Sequence, residues 1–184
     1  MTSLSTDVSL STDVSLSIDI GKKNLGYSIL NTETKEIFFD LFNIEDEIKK
    51  EKSIKKLGIV AQRAFVLNKF LTEIIEKYHV GKIIIERQIQ TNVIAMELMY
   101  CIVSLCITKI SIDNIIIYDP KKKFTDLHLS YVTKNKEHKK LSINLCEKYL
   151  NELYPNEMNK FHNFSKKDDI SDSILMNFLS NKII

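Results

Sequence analysis

The chain has 184 residues, with 26 Lys and Arg against 24 Asp and Glu, a formal net charge of +2, and 44% hydrophobic residues. That is enough chain for one domain with a real core. The charge balance excludes a histone-like basic protein but leaves room for a local basic patch, and four glycines and two prolines exclude a low-complexity chain.

Ser5–Leu10 and Ser11–Leu16 both read STDVSL, and a third, altered copy begins at Ser17 as SIDIGK. Two six-residue copies cannot build a solenoid, whose units run to about 20 residues or more. Residues 1–14 are therefore expected to be an extension ahead of a single domain over 15–184. The repeat creates decoys: Asp7 and Asp13 sit in contexts like that of Asp19, but only Asp19 is followed by Gly and a second strand.

Leu16–Ile20 alternates apolar and polar residues and reads as a strand. A turn at Gly21–Asn24 leads to a strand over Leu25–Asn31, and a polar turn leads to a third over Ile37–Phe42, an antiparallel meander. Lysines and glutamates dominate up to Lys56. From Leu57, apolar residues at 57, 60, 61, 64, 67, 71, 74, 75 and 78 recur at helical spacing. Lys82–Glu86 (KIIIE) reads as a buried strand, Thr91–Lys109 as a core helix apolar nearly all round, and Asn114–Tyr118 as another buried strand. A basic, poorly periodic stretch follows from Lys121 to Lys136. Helices are then expected over His138–Leu150 and Lys166–Ser180. The order β-β-β-α-β-α-β-α-α predicts an α/β fold. Its five-stranded mixed sheet is an antiparallel β1-β2-β3 meander with parallel later strands, flanked by helices and joined by right-handed crossovers.

Cys101, Cys106 and Cys146 form no CxxC and have no histidine at ligand spacing. This argues against a disulfide framework or structural zinc and for buried thiols in a reducing compartment. The N-terminus shows no signal-peptide pattern. The most apolar segment, Val93–Ile107, contains Glu97 and is too short to cross a bilayer comfortably. The expectation is a soluble intracellular protein with no membrane partner. No Walker A or GxGxxG motif occurs, so no nucleotide cofactor is expected.

Acidic residues on buried apolar strands need a reason, because burying a lone carboxylate is costly unless it is paired or bound to metal. Asp19 lies in SIDIG and Glu86 ends KIIIE. In KKDDISDSILM, Asp169 and Asp172 are three apart and share a helix face, while Asp168 points about 100° from Asp169. Ser165 and Asp168 match a capping box, which accounts for Asp168 structurally. Asp169 could merely complement the helix dipole, whereas Asp172 is one position too deep for that, and for any one of these acids taken alone a structural or surface role is favoured. Together, two strand carboxylates and a helix pair could converge at one edge of a parallel sheet, and four clustered acids could not all stay ionised without a cation. All-oxygen ligands suit Mg²⁺ or Mn²⁺.

In this order, SIDIG, the Gly26-Tyr27 strand, IIIER and the DDxxD helix resemble the RNase H-like superfamily, and within it the Holliday-junction resolvases of the RuvC type. IERQ, the YDP-plus-lysine run and KKDDISDS point to the poxvirus branch. The resemblance spans about residues 15–180. It implies an RNase H-like fold and a Mg²⁺-dependent endodeoxyribonuclease, a homodimer that makes paired symmetric nicks in branched DNA, the four-way junction. Asp19, Glu86, Asp169 and Asp172 would then be catalytic and hold two Mg²⁺ ions, with Mn²⁺ as a substitute, and the cut ends would carry 5′-phosphates. It further implies a viral protein of the infected host cell's cytoplasm and a catalytic lysine near the start of the penultimate helix. Lys139 is the first choice for that lysine and Lys140 the second.

Between Asp119 and Lys140 stand seven lysines against three acids. Beside an acidic site, Lys121, Lys122, Lys123, Lys134, Lys136 and Lys140, with Arg87, are candidates for contacts to the DNA backbone. Only Arg63 and Arg87 are arginines, which favours phosphate contacts over base-edge readout. Alternatives on the same fold are a non-catalytic junction-binding module, expected to lack one or more of the acids, and an RNase H or integrase relative with another substrate. An actin-like ATPase also starts from Asp-x-Gly on a hairpin but needs two such domains, more than 184 residues can supply.

Overall fold

The computed structural model describes residues 13–127, 129 and 135–184. Asp7, His128, Lys134 and all of the expected extension except Asp13 and Val14 lie outside the described residues. The elements are β1 (Val14–Ile20), β2 (Asn24–Asn31), β3 (Glu36–Asn43), α1 (Ile44–Lys50), α2 (Ile59–Tyr78), β4 (Lys82–Glu86), α3 (Val93–Lys109), β5 (Ile115–Tyr118), α4 (Lys122–Asp126), α5 (Asn135–Leu153), α6 (Met158–His162) and α7 (Lys167–Ser180). The strands form one sheet in the order β3-β2-β1-β4-β5. The β1–β2 and β2–β3 pairs are antiparallel, and β1–β4 and β4–β5 are parallel. This is the expected mixed sheet.

The β1–β2 turn closes with the Gly21 N–H donating to the Asn24 carbonyl at 2.9 Å. A Cβ on Gly21 would stand only 2.7 Å from that same oxygen, so the turn has no room for a side chain. Strand alternation then sorts β1 into two faces. Leu16, Ile18 and Ile20 join Ile83 and Ile85 of β4 in a core with Leu67, Leu71 and Ile75 of α2 and Leu98 and Ile102 of α3. Ser15, Ser17 and Asp19 face the other way, towards α7. On that side a second core joins Leu30 and Phe39 to Cys146 and Leu150 of α5, Phe161 of α6 and Ile170, Ile174 and Phe178 of α7.

Three short helices were not visible as periodicity. One is α1, within the lysine- and glutamate-rich stretch, where Asn43 caps the helix by accepting from the Asp46 N–H at 3.0 Å. The others are α4 and α6. The helix α3 is not a core helix: Ala95, Leu98, Met99, Ile102 and Cys106 are buried, but Val93 and Tyr100 are each 62% exposed. One sheet face cannot cover a helix that is apolar all round. The three cysteines are free thiols, and burial pushes Cys106 up to about 12, far from reactivity. Among the described residues no helix is long and apolar enough to cross a membrane.

Candidate active site

Parallel pairing of β1 with β4 runs in the register Ser15↔Lys82 to Ile18↔Ile85. One step further along both strands, Asp19 and Glu86 lie side by side at the strand ends. Both point to the α7 face, and their carboxyls are hydrogen-bonded to each other. Gln88 Nε2 donates to Glu86 Oε2 at 3.1 Å.

The first turn of α7 reaches Asp19 because its strand partner is glycine: Asp19 pairs with Gly26 across β1–β2. A Cβ on Gly26 would collide with the backbone carbonyl of Asp169, so the helix backbone rests directly on the strand there. From that contact α7 runs antiparallel to β1, and its sequence lays down two stripes. Ser173 and Asn177 continue from Asp169 over β1 and β2. Met176 continues from Asp172 over β4 and β5, packing with Ile84 and Tyr118.

The first stripe is bonded rather than greasy. Ser15 Oγ donates to Asn177 Oδ1 at 2.6 Å, and Asn177 Nδ2 donates to the carbonyl and Oγ of Ser28, both at 3.1 Å. Ser28 Oγ donates to the Ser173 carbonyl at 3.0 Å, and Asn181 Nδ2 to Ser15 Oγ at 2.8 Å. Lys82 Nζ closes the far end on the Ser180 carbonyl at 2.9 Å. Small side chains permit close approach, and directional bonds fix the helix in one register. Asp169 and Asp172 therefore flank Asp19 and Glu86 from two sides.

The charges show the crowding. Burial, then the neighbouring Glu86, Asp172 and Asp169, hold Asp19 well above the usual carboxylate range. Burial and Asp172 push Glu86 up, against the Asp19 bond, the Lys123 charge and Gln88. Burial and Asp168 push Asp169 up, against Lys166 and Lys139.

Asp168 is not the capping residue that the sequence pattern predicts. The helix begins at Lys167, its N-cap residue is Lys166, and no side chain caps it. Asp168 pairs with Lys139 instead. Burial pushes Asp168 up, but its bond to Lys139 and that lysine's charge outweigh it, leaving the group below its ordinary range.

Lys123 also departs from its expected place. It is 1% exposed and makes an ion pair with Asp172 inside the acidic site, so it is not a surface contact for DNA. Three consecutive lysines look alike in sequence. Only the direction in which the short α4 aims each one separates Lys123 from its exposed neighbours Lys121 and Lys122. Lys139, 54% exposed in its side chain, stands at the rim, where its charge feels Asp168, Asp169 and Asp172. Lys136 and Lys140 are exposed on the same first turns of α5. Arg87 is held 3.7 Å from Asp119.

Among the described residues, no three Asp, Glu, His or Cys side chains close on one point tightly enough to hold a metal ion. The chemistry of the donors nevertheless fits a divalent cation. They are all oxygen, and burial and neighbouring carboxylates push Asp19 and Glu86 upwards, the mark of more negative charge than the fold itself neutralises.

Residues 13–181 match the family model described as Poxvirus A22 protein. The chain belongs to that family. No curated protein matches it. Among solved structures, this family member is similar to the fowlpox virus resolvase in complex with its substrate Holliday junction DNA: 15% identity, 93% of this chain and 99% of that one, TM-score 0.62. It is also similar to the Thermus thermophilus RuvC bound to a Holliday junction substrate: 9% identity, 92% and 95% coverage, TM-score 0.58. A third similar structure is the yeast mitochondrial Holliday junction resolvase: 20% identity, 95% and 83% coverage, TM-score 0.57. The fold is that of the RuvC-type, RNase H-like resolvases.

Proposed function

We propose that this protein is a structure-selective endonuclease that resolves four-way DNA junctions by paired symmetric nicks. The observation that carries the proposal is the gathering of Asp19, Glu86, Asp169 and Asp172 at the strand ends of a RuvC-type fold. These four residues would hold Mg²⁺, two ions per site, with Mn²⁺ as a substitute. When bound, the metal would supply Lewis-acid activation of water and of the scissile phosphodiester.

The chain's own residues do the rest. The four carboxylates would fix where the cation sits, and the packed interior beneath them excludes bulk water. Lys139 at the rim is our candidate for the lysine that meets the scissile phosphate. Exposed Lys121, Lys122, Lys136 and Lys140, with Arg87, would neutralise backbone phosphates on either side. Cleavage would leave 5′-phosphate ends.

A basic rim attracts any DNA, so selecting a junction requires two sites at a fixed separation, which a two-fold homodimer provides. The exposed apolar side of α2 and α3 is the proposed interface. Tyr100 and Phe65 are exposed there, beside a groove of about 480 Å³ lined by Ala64, Asn68 and Leu105. The site of action would be the cytoplasm of the infected cell.

The test is incubation of the purified protein with a synthetic four-way junction, with and without Mg²⁺. Symmetric, ligatable nicks that require Mg²⁺ are expected. Equal cutting of linear duplex by a monomer would refute resolution while leaving a nuclease standing.

A further inference from the structure

We propose that Lys123 is a built-in counter-cation that occupies the carboxylate site before a metal does, so that metal binding must displace its ammonium from Asp172. The inference rests on the metal-dependent reading above and adds to it a competitor carried by the chain itself.

Lysine is almost never fully buried unless it is paired. Lys123 is 1% exposed, and its Nζ ends on Asp172 Oδ1, with its charge also acting on Glu86. Its helix is anchored to deliver it inward. Asp119 starts the turn by accepting from the Lys121 N–H at Oδ1 and from the Lys122 N–H at its backbone carbonyl, both at 2.9 Å. The next residue, Phe124, is buried and packs on His138 at a centroid distance of 4.3 Å. Tyr118 Oη donates to Asp126 Oδ2 at 3.3 Å on the following turn. A lysine meant for solvent or a DNA backbone needs no such seating.

The ammonium and a divalent cation want the same lone pairs. Both bind carboxylate oxygen, and two cations at neighbouring positions repel. With Lys123 on Asp172, the described carboxylates do not close on one point. Withdrawal of the ammonium frees Asp172 to turn towards Asp19 and Glu86. Metal loading is thereby made harder than the number of carboxylates alone would suggest.

The decisive experiment is calorimetric titration of Mg²⁺ alone into the metal-free full chain, without DNA. Lys123→Met should bind Mg²⁺ at least tenfold more tightly than the wild type, whereas Lys123→Arg, which keeps the charge, should stay within about threefold of it. Equal or weaker binding by Lys123→Met overturns the inference and leaves the nuclease reading intact. Absence of Mg²⁺ binding in both wild type and Lys123→Met overturns the nuclease reading and the inference with it. A second measurement needs no Met variant. In nitrogen-15 lysine-labelled wild type, the buried ammonium of Lys123, identified by its loss in Lys123→Arg, should give a slowly exchanging signal that disappears when Mg²⁺ is added. A signal that persists unchanged at saturating Mg²⁺ also overturns the proposal.

Discussion

Along β1 the two faces of the sheet are built from opposite materials. Towards α2 and α3 the strands present Leu16, Ile18, Ile83 and Ile85, and the contact is hydrocarbon on hydrocarbon. Towards α7, β1 and β2 present Ser15, Ser17, Asp19, Gly26 and Ser28; Ser15 and Ser28 are hydrogen-bonded to the helix, and Asp19 lies beyond them at the strand end. Apolar packing is strong but tolerant of small slips, because dispersion and hydrophobic burial have no direction. Hydrogen bonds add little net stability but fix a register. Apolar packing therefore supplies stability, and the polar strip under α7 spends some of it to align acids from three separate stretches of chain.

The widest separation between the faces should come from the acids themselves. Asp19→Asn, Glu86→Gln, Asp169→Asn and Asp172→Asn should each reduce junction nicking by roughly 10³-fold or more, with binding retained in a gel-shift assay. Near-normal nicking by any two of them would dissolve the shared site.

A matched pair of core changes comes next. Leu71→Ala on the apolar face should cost about 2–5 kcal/mol in denaturant melts, with nicking per folded molecule unchanged. Gly26→Ala should cost less, about 1–3 kcal/mol. It should nevertheless cut nicking about 10²-fold, because the Asp169 backbone must move off the strand. If the two variants lost stability and activity in the same proportion, the division of labour between the faces would be wrong.

Asn177→Leu sharpens the point without adding bulk against the backbone. Loss of its bonds to Ser15 and Ser28 should cost about 1–3 kcal/mol. Nicking should fall about tenfold through kcat rather than KM, since the exposed lysines of the proposed DNA surface are untouched.

The pH dependence of the metal-free protein isolates the α7 face. Asp19 is raised, so between its ordinary value of about 4 and its raised value the folded chain holds a proton that the unfolded chain has released. Stability is therefore greatest at the acid end of that window and falls as pH rises through it. Asp19→Asn should flatten that slope and raise metal-free stability above it. An unchanged slope in calorimetric melts across the window would show that Asp19 is not the group responsible.

The smallest effect is expected at Asp168. Its pair with a half-exposed Lys139 is worth about 0–1 kcal/mol, so Asp168→Asn should melt almost like wild type and retain nicking at moderate temperature. A stable but inactive variant would move Asp168 into the site.

Much of this was open to inspection in the chain. Strand β4 has the bounds that its apolar run predicts, and the strand carboxylates and the DDxxD helix stand out because acids interrupt apolar periodicity. Hydrophobic period and turn chemistry are local, so a sequence read by itself determines the strands and long helices, their order and the fold class. It does not determine what depends on three-dimensional neighbours. Which of three adjacent lysines turns inward was settled by the anchoring of α4 on Asp119, Tyr118 and His138. Asp168 does not cap its helix, which starts one residue later than the pattern predicts, and it pairs instead with Lys139 of α5, 29 residues upstream. The same holds for Gly26. In sequence it is one glycine among four, and only the arrival of α7 on its strand, 143 positions later at Asp169, makes the missing Cβ a requirement of the site. Local pattern sets what each segment can be, and long-range packing decides which groups share a dielectric and a charge.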